Sequence, residues 1–241
     1  MTQDPRPEAE SPSLQPPVSC GYVRADGSCC PGEIEGDSDL CYWHDPDASK
    51  EVDDVRSRLE TWAATGESME GFILRYAPLQ GVKLNNQHRR VLRRANLFKA
   101  DLAGASLWNV DLRGADLLKT NLAGANLNEA KLQDAALLGA VLDGTKLERV
   151  EWGEKSVNER AAEEAKSAGR KEEAQEKFEE AEEVYRALRQ AYDGAGRFEQ
   201  AGFFFRREMT MRRMLLPRWS LDRLWSKLVA VFCAYGESPP R

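Results

Sequence analysis

Four of the five cysteines fall within 22 residues, in Cys20-Gly21-Tyr22, Ser28-Cys29-Cys30-Pro31 and Cys41-Tyr42-Trp43-His44. Thiolates and imidazole at such separations are the donors that a tetrahedral metal takes, zinc above all, and a short stretch without a core gains its fold from that bond. Cys41 and His44 make one pincer, and Cys20 with Cys29 or Cys30 makes the other. The chain shows no basic start followed by an apolar run, so no signal peptide is expected and the protein should be cytoplasmic. In that reducing setting a cysteine cluster reads as a metal site rather than a disulfide framework, and one Zn2+ is the expected cofactor.

The segment is similar to small zinc-binding modules that end in Cys-x-x-His. In those the second cysteine follows a Gly-x-x turn, so Gly27-Ser28-Cys29-Cys30 implies the set Cys20, Cys30, Cys41 and His44, with Cys29 the alternative to Cys30. Four protein ligands leave a zinc ion no open position for chemistry. The second histidine, His88, lies in a basic stretch, and neither a phosphate-binding glycine loop nor a metalloprotease helix is present. No enzymatic activity and no small-molecule substrate are therefore expected.

The stretch that organises the chain follows. Leucine returns every fifth residue from Leu97 through Leu102, Leu107, Leu112, Leu117, Leu122, Leu127, Leu132, Leu137 and Leu142 to Leu147, and Trp152 takes the next position. Two residues before each stands a small residue, such as Ala95, Ala100, Thr120 or Ala125, and between them often Asn or Asp. On a helix a period of five would wind the leucines around the axis, and glycines such as Gly104 and Gly124 would each cost about 1 kcal/mol. On a strand an odd spacing throws alternate leucines onto opposite faces. Only stacking against copies of itself buries such a repeat, which makes it a solenoid.

At these residues the chain resembles the pentapeptide-repeat family and its A-(D/N)-L-x-x pattern. The resemblance implies a right-handed quadrilateral β-helix with one quintet per side, here of about 3–4 coils. Residues twenty apart then lie above one another. Phe98, Leu118 and Leu138 form an outward apolar stripe, read as a docking surface for the chain's own C-terminal helices or another subunit of a homodimer. Phe203, Phe204 and Trp225 are expected to cover it.

The fold class is thus a mixed β-solenoid plus α. Residues 1–17, rich in proline and acids, should be a disordered tail; 18–48 form the zinc-binding module; 49–71 hold a linker helix, from about Asp53 to Ala64. The β-helix occupies 72–154, its first coil out of register with the second because Asn85 to Arg90 bulge. Residues 155–215 are dominated by Glu, Ala, Arg and Lys and punctuated by Gly169 and Gly194-Ala195-Gly196. Their Tyr185, Leu188, Tyr192, Gly196, Phe198, Ala201 and Phe205 match a tetratricopeptide-like (TPR-like) spacing of paired helices. Residues 216–241 hold an amphipathic helix, Leu221 to Ala234, and a tail.

Net charge is −6, yet residues 1–60 carry 14 acids against 5 Lys and Arg, while 72–154 carry 12 Lys and Arg against 9 acids. A slightly basic rod argues against a mimic of the DNA duplex. The most basic spot is Arg89, Arg90, Arg93 and Arg94, without the interleaved aromatics that nucleic-acid binding favours, so nucleic acid is not the expected partner. The run from Arg206 to Arg218 offers a contact to an anionic membrane surface. Phe203 to Met209 and the closing Tyr235-Gly236-Glu237-Ser238-Pro239 look like the region that, in some pentapeptide-repeat proteins, leads into a potassium-channel-like pore; the resemblance implies the cytoplasmic part or a relative of such an ion channel. The expectation is a non-enzymatic protein-interaction scaffold, cytoplasmic or membrane-associated, with its protein partner unidentified. The alternative, drawn from the same family, is a DNA-mimic protector or inhibitor of a type II topoisomerase.

Overall fold

Each quintet of the repeat has five backbone N–H groups to satisfy, and residues 100–104 show how all five find acceptors. The Ala100 N–H closes a turn on the Leu97 carbonyl (2.9 Å), Asp101 reaches down to Ala77 (3.0 Å), and Leu102 and Gly104 donate to the Asn121 and Ala123 carbonyls (2.8 Å each). The fifth, from Ala103, goes to the Asp101 side chain at 3.1 Å. Asn96, Asp111, Asp116, Asn121 and Asn126 accept the same bond two residues on. The Asp or Asn before the leucine is therefore a backbone acceptor, an Asx turn built into the repeat.

The corner two residues after each leucine needs a left-handed backbone. Glycine supplies it at Gly104 and Gly124, but Lys99, Asn109, Lys119 and Glu129 hold φ between 54° and 62°. Such residues carry local strain, offset by the rungs that hold the corner from the neighbouring coil.

The computed structural model describes residues 19–34, 38–51, 53–84, 92–217 and Trp225. It divides into two units, within Met1–Asp45 and Pro46–Arg241. In the second, parallel rungs stack into four ladders: Ile73, Asn96, Asp116, Ala136; Pro78, Asp101, Asn121, Val141; Lys83, Ser106, Asn126, Lys146; and Asp111, Lys131, Glu151. This is a β-helix, and its interior is the leucine column, from Leu74 to Leu147, together with Ala95, Ala105 and their equivalents, all buried. Two threonines enter that interior, and each hydroxyl donates to a carbonyl, Thr120 to Leu97 (2.7 Å) and Thr145 to Leu122 (2.8 Å).

Rungs in the first coil join residues 23 apart, as Ile73 with Asn96, whereas later ones join residues 20 apart. The expected loss of register is thus only one of numbering. Three extra residues are absorbed between Leu84 and Leu92, and the first coil sits in register beneath the second. The expected loop, Asn85 to Arg90, lies outside the described residues, as do the tail 1–17 and, apart from the exposed Trp225, the helix 221–234.

Helices close both ends of the rod. Helix α1 (Val55–Thr65) lies in the stretch expected to be a linker, but it packs on the first coil. Val55, Leu59 and Ala63 are buried, Trp62 meets Phe72 edge-on at 5.6 Å, and the Lys83 N–H, a free sheet edge without it, donates to the Glu60 carboxylate at 2.8 Å. At the other end stand α2 (Val157–Ser167), α3 (Lys171–Gly194) and α4 (Phe198–Leu215). Ser156 caps α2, accepting from the Glu159 N–H at 3.1 Å. Trp152 donates to the Tyr192 hydroxyl (2.8 Å), which donates in turn to the Leu147 carbonyl on the last coil (3.1 Å). Phe204 packs on Trp152, Tyr185 and Tyr192. Buried Glu159 takes the Arg207 guanidinium at 3.0 Å and the Tyr185 hydroxyl, whose pKa burial and that carboxylate push up to about 12.

Two expectations are corrected here. The helices do not lie along the stripe of Phe98, Leu118 and Leu138; they seat on the open end, where Leu137, Leu142 and Leu147 and unpaired carbonyls would otherwise meet water. Phe204, expected to be left over, is 4% exposed, while Phe198, expected inside the hairpin, is 73% exposed. Phe198 begins α4 beside Gly194-Ala195-Gly196, which offers one methyl group to cover it, and the buried face of α4 starts a turn later with Ala201, Phe204, Glu208 and Met211.

Changing Phe204 to alanine should cost about 3–5 kcal/mol, whereas Phe198→Ala should stay within about 0.5 kcal/mol, read from chemical denaturation. Leu122→Asp should abolish the cooperative transition, since a charge inside the leucine column is unpaired; Asn128→Asp should melt near the parent.

Candidate functional site

The first unit folds around its cysteines. Antiparallel bridges join Ser19 with Glu33, Val23 with Cys29 and Ile34 with Cys41. The turn inside the Val23–Cys29 bridge is closed by the Arg24 N–H on the Ser28 carbonyl (2.9 Å), with Gly27 at φ 82° and Asp26 accepting from the Ser28 N–H. Along an extended chain successive side chains point to opposite sides. With Cys30 pinned by its N–H to the Tyr22 carbonyl (3.0 Å), Cys30 points inward and Cys29 outward. A single turn, the His44 N–H to the Cys41 carbonyl at 2.9 Å, brings those two side chains together.

Cys20, Cys30, Cys41 and His44 are all buried, and their donor atoms lie within 4.8 Å of one another. The Cys30 and Cys41 sulfurs are 3.8 Å apart, and the His44 Nδ1 stands 3.6 Å from Cys20 and 3.4 Å from Cys41. Bonds of about 2.3 Å to sulfur and about 2.0 Å to nitrogen give tetrahedral edges of about 3.8 Å and about 3.5 Å, so these separations fit one ion held by all four donors. A disulfide between Cys30 and Cys41 would need about 2.05 Å.

Backbone N–H groups face two of the sulfurs. The Cys41 N–H points at the Cys20 sulfur (3.3 Å) and the Gly32 N–H at Cys30 (3.4 Å). The hydrogen bond from Cys41 pulls the Cys30 pKa below its ordinary value, and the same bond, with burial, pushes Cys41 up to about 11. Two residues unmarked by any motif complete the cradle. Tyr22 stacks on the His44 ring at 3.9 Å and 11°, fixing its plane, and a Cβ on Gly32 would come within 2.8 Å of Cys41. A buried three-cysteine, one-histidine cluster able to hold a metal ion is therefore present.

On the rod, Phe98, Leu118 and Leu138 are stacked on one side and half-buried. Sequence reasoning missed what flanks them. Tyr76 meets Phe98 edge-on at 5.5 Å, and Arg75 and Lys99 lie over both rings. The signal was hidden because Arg75 and Phe98 are 23 apart, not 20. Of the basic spot, Arg93 approaches Asp111 at 3.9 Å and Arg94 is exposed at a corner, while Arg89 and Arg90 lie outside the described residues. Of the C-terminal arginines, Arg207 and Arg212 are turned into ion pairs with Glu159 and Glu182, and Arg218 lies outside the described residues. Among the described residues no helix is long and apolar enough to cross a membrane.

A family model described as pentapeptide repeats matches residues 91–128 and 120–151. Among solved structures, a pentapeptide repeat protein from Nostoc PCC 7120 is 33% identical over 42% of this chain and 85% of that one, with a TM-score of 0.36. The pentapeptide repeat protein Rfr23 from the cyanobacterium Cyanothece 51142 is 33% identical over 36% of this chain and 65% of its own, at a TM-score of 0.31. One from the Arabidopsis thaliana thylakoid lumen is 30% identical over 35% and 61%, at 0.27. The chain thus spans less than two thirds of the latter two. No curated protein is significantly similar.

Elemental analysis of Cys30→Ser protein should show the bound metal lost, whereas Cys29→Ser should keep the parent's content. Equal metal in the two variants would remove the cluster from the binding site.

Proposed function

Because this chain belongs to the pentapeptide-repeat family, we propose that it acts by binding, as a non-enzymatic protein-interaction scaffold whose stiff element is the rod. On this reading the rod is right-handed, with four quintets per coil and about 3–4 coils, and the helices behind it form a TPR-like second surface. The observation that carries the proposal is the internal satisfaction of the backbone in the quintets that have Asp or Asn before the leucine. Every N–H of a repeat such as 100–104 is bonded, so what remains to the rod is a fixed display of outward side chains. The buried acids of the helical end, Glu159, Glu182 and Glu208, are bound to Arg207, Arg212 and Arg189 rather than free for proton transfer.

In this proposal the metal is Zn2+, held by Cys20, Cys30, Cys41 and His44, and its work is structural. When bound it supplies cross-links in a unit with little other core. Tyr22 orients the imidazole, and the Gly32 and Cys41 N–H groups stabilise thiolate. The duplex-mimic alternative ranks second because the outward charge of the rod is not acidic: Arg75, Lys99 and Lys119 stand on one side of it.

The reading is tested by affinity capture from the native host with a photo-cross-linker at Asn128 or Phe98. A discrete protein cross-linked to the rod is the expected result. Stoichiometric inhibition of DNA gyrase supercoiling would overturn the ranking in favour of the mimic. Chelation should abolish the near-ultraviolet dichroism of Tyr22, Tyr42 and Trp43 while the melt of the rod stays unchanged; a rod that melts with the metal would contradict a separate structural role.

A further inference from the structure

The side of the rod that carries Phe98, Leu118 and Leu138 is more specific than an apolar stripe. Tyr76, 41% exposed, extends it by one rung, and Val141, equally exposed, extends it around the next corner. Its cations are Arg75, 5.7 Å and 5.4 Å from the Tyr76 and Phe98 ring centres, Lys99, at 5.5 Å and 5.4 Å, and Lys119, stacked against Gly139. Among the described residues none of the three is in an ion pair; elsewhere on the rod Arg93, Arg113 and Arg149 face Asp111 or Glu129, while Lys83, Arg94, Lys131 and Lys146 are likewise in none. The acid on this side, Asp116, accepts the Leu118 N–H at 3.1 Å. An apolar strip bordered by unpaired positive charge is complementary to an apolar strip bordered by negative charge.

We infer that this side binds an acidic amphipathic α-helix of a partner protein, laid along the rod axis. The inference rests on the scaffold reading above and names its surface and the chemistry of its partner. Spacing selects the helix. Rungs repeat at about 4.8 Å and a helix advances about 5.4 Å per turn, so across Phe98, Leu118 and Leu138 the mismatch grows to only about 1 Å. An extended segment along the axis repeats on one side at about 6.6–6.8 Å and falls out of step by the second rung. Addition of a strand is excluded because the rungs of this side are already bonded from coil to coil.

Other occupants fit less well. Stacking of bases needs open ring faces, and Arg75 and Lys99 already lie over Tyr76 and Phe98, while Leu118, Leu138 and Val141 offer no rings. In this chain, α3 presents Glu172, Glu176, Glu179 and Glu183 along one exposed side, but no apolar residue is exposed among them. A second copy docked through α3 would leave the leucines uncovered.

The test uses the full chain and a labelled helix-forming peptide with leucine at i, i+4, i+7 and i+11 flanked by glutamates, read by fluorescence anisotropy. Saturable, salt-sensitive binding is expected, absent for a scrambled peptide of the same composition. It should weaken at least tenfold in the double variant Lys99→Glu with Lys119→Glu and in Phe98→Ser with Leu118→Ser, and hold in Lys146→Glu on another side. The lysine variants should melt like the parent, since those side chains point outward, and Phe98→Ser with Leu118→Ser, which loses half-buried stacking, should melt lower but still cooperatively. No binding, or binding indifferent to both double variants, overturns the inference. So does binding of oligo-dT, of phosphatidylserine-containing vesicles or of a second copy that depends on Lys99 and Lys119 while the peptide does not bind. If a cross-linked host protein is captured equally by parent and Lys99→Glu/Lys119→Glu protein, the scaffold stands and this surface falls; if the parent captures none, the scaffold itself falls.

Discussion

The bonds on which this molecule depends run from coil to coil. Within a quintet such as 100–104, one N–H closes the corner and one goes to a side chain, but the others leave for the coil above or below, as Leu102 does to Asn121 and Asp101 to Ala77. The leucine column has the same property, because Leu117 is dry only while Leu97 and Leu137 stand on either side. A single coil could therefore satisfy neither its backbone nor its core, and stability belongs to the stack. The corners follow from this. Lys99 and Lys119 tolerate a left-handed backbone because a corner held by rungs on both neighbouring coils has nowhere else to go.

The same dependence makes the two ends the costly places. An open end exposes a full layer of leucines together with a row of unpaired N–H or C=O groups, a template for further strands. The chain spends its helices there. Glu60 of α1 occupies the free Lys83 N–H, and Tyr192 of α3 occupies the Leu147 carbonyl while Phe204 and Trp152 cover the last layer. This explains why the apolar residues of α4 bypass the stripe. Phe98, Leu118 and Leu138 are half-covered by their own stacking, so burying them gains less than closing the end, and the side of the rod is left for display.

How much of this could be read in the sequence depended on whether a feature repeats. The leucine at every fifth position and the small residue two before it give the β-helix directly, because no other arrangement buries such a period. The Asp or Asn between them recurs in only half of the quintets, from Asn96 to Asn126, and its role as acceptor for the N–H two residues on, as in Asp101 with Ala103, is a matter of geometry that composition does not disclose. Features that occur once were harder. Three extra residues between Leu84 and Leu92 concealed that Arg75 and Tyr76 stand beside Phe98. The choice of Phe204 over Phe198 turned on where α4 begins relative to a glycine-rich turn. In the metal unit the cysteines and His44 were legible as donors, but Tyr22 and Gly32 were not, since stacking and a missing Cβ leave no pattern of spacing.

The two units solve the same problem of size by different means. Residues 19–45 are too few to bury a core of their own, and their buried side chains are mainly the four donors and Trp43. A cross-link at one point can hold such a segment, whereas the rod is held by repetition and needs no ion. Uneven charge follows that division. Acids are concentrated in residues 1–60, and the rod, whose paired cations serve its own carboxylates at Asp111 and Glu129, keeps Arg75, Lys99 and Lys119 unpaired around a single apolar strip. Their number is unremarkable, since Lys83, Arg94, Lys131 and Lys146 are in no ion pair among the described residues either; what distinguishes Arg75, Lys99 and Lys119 is their place, on one side and against an apolar strip, which is a property of the surface and of what it meets.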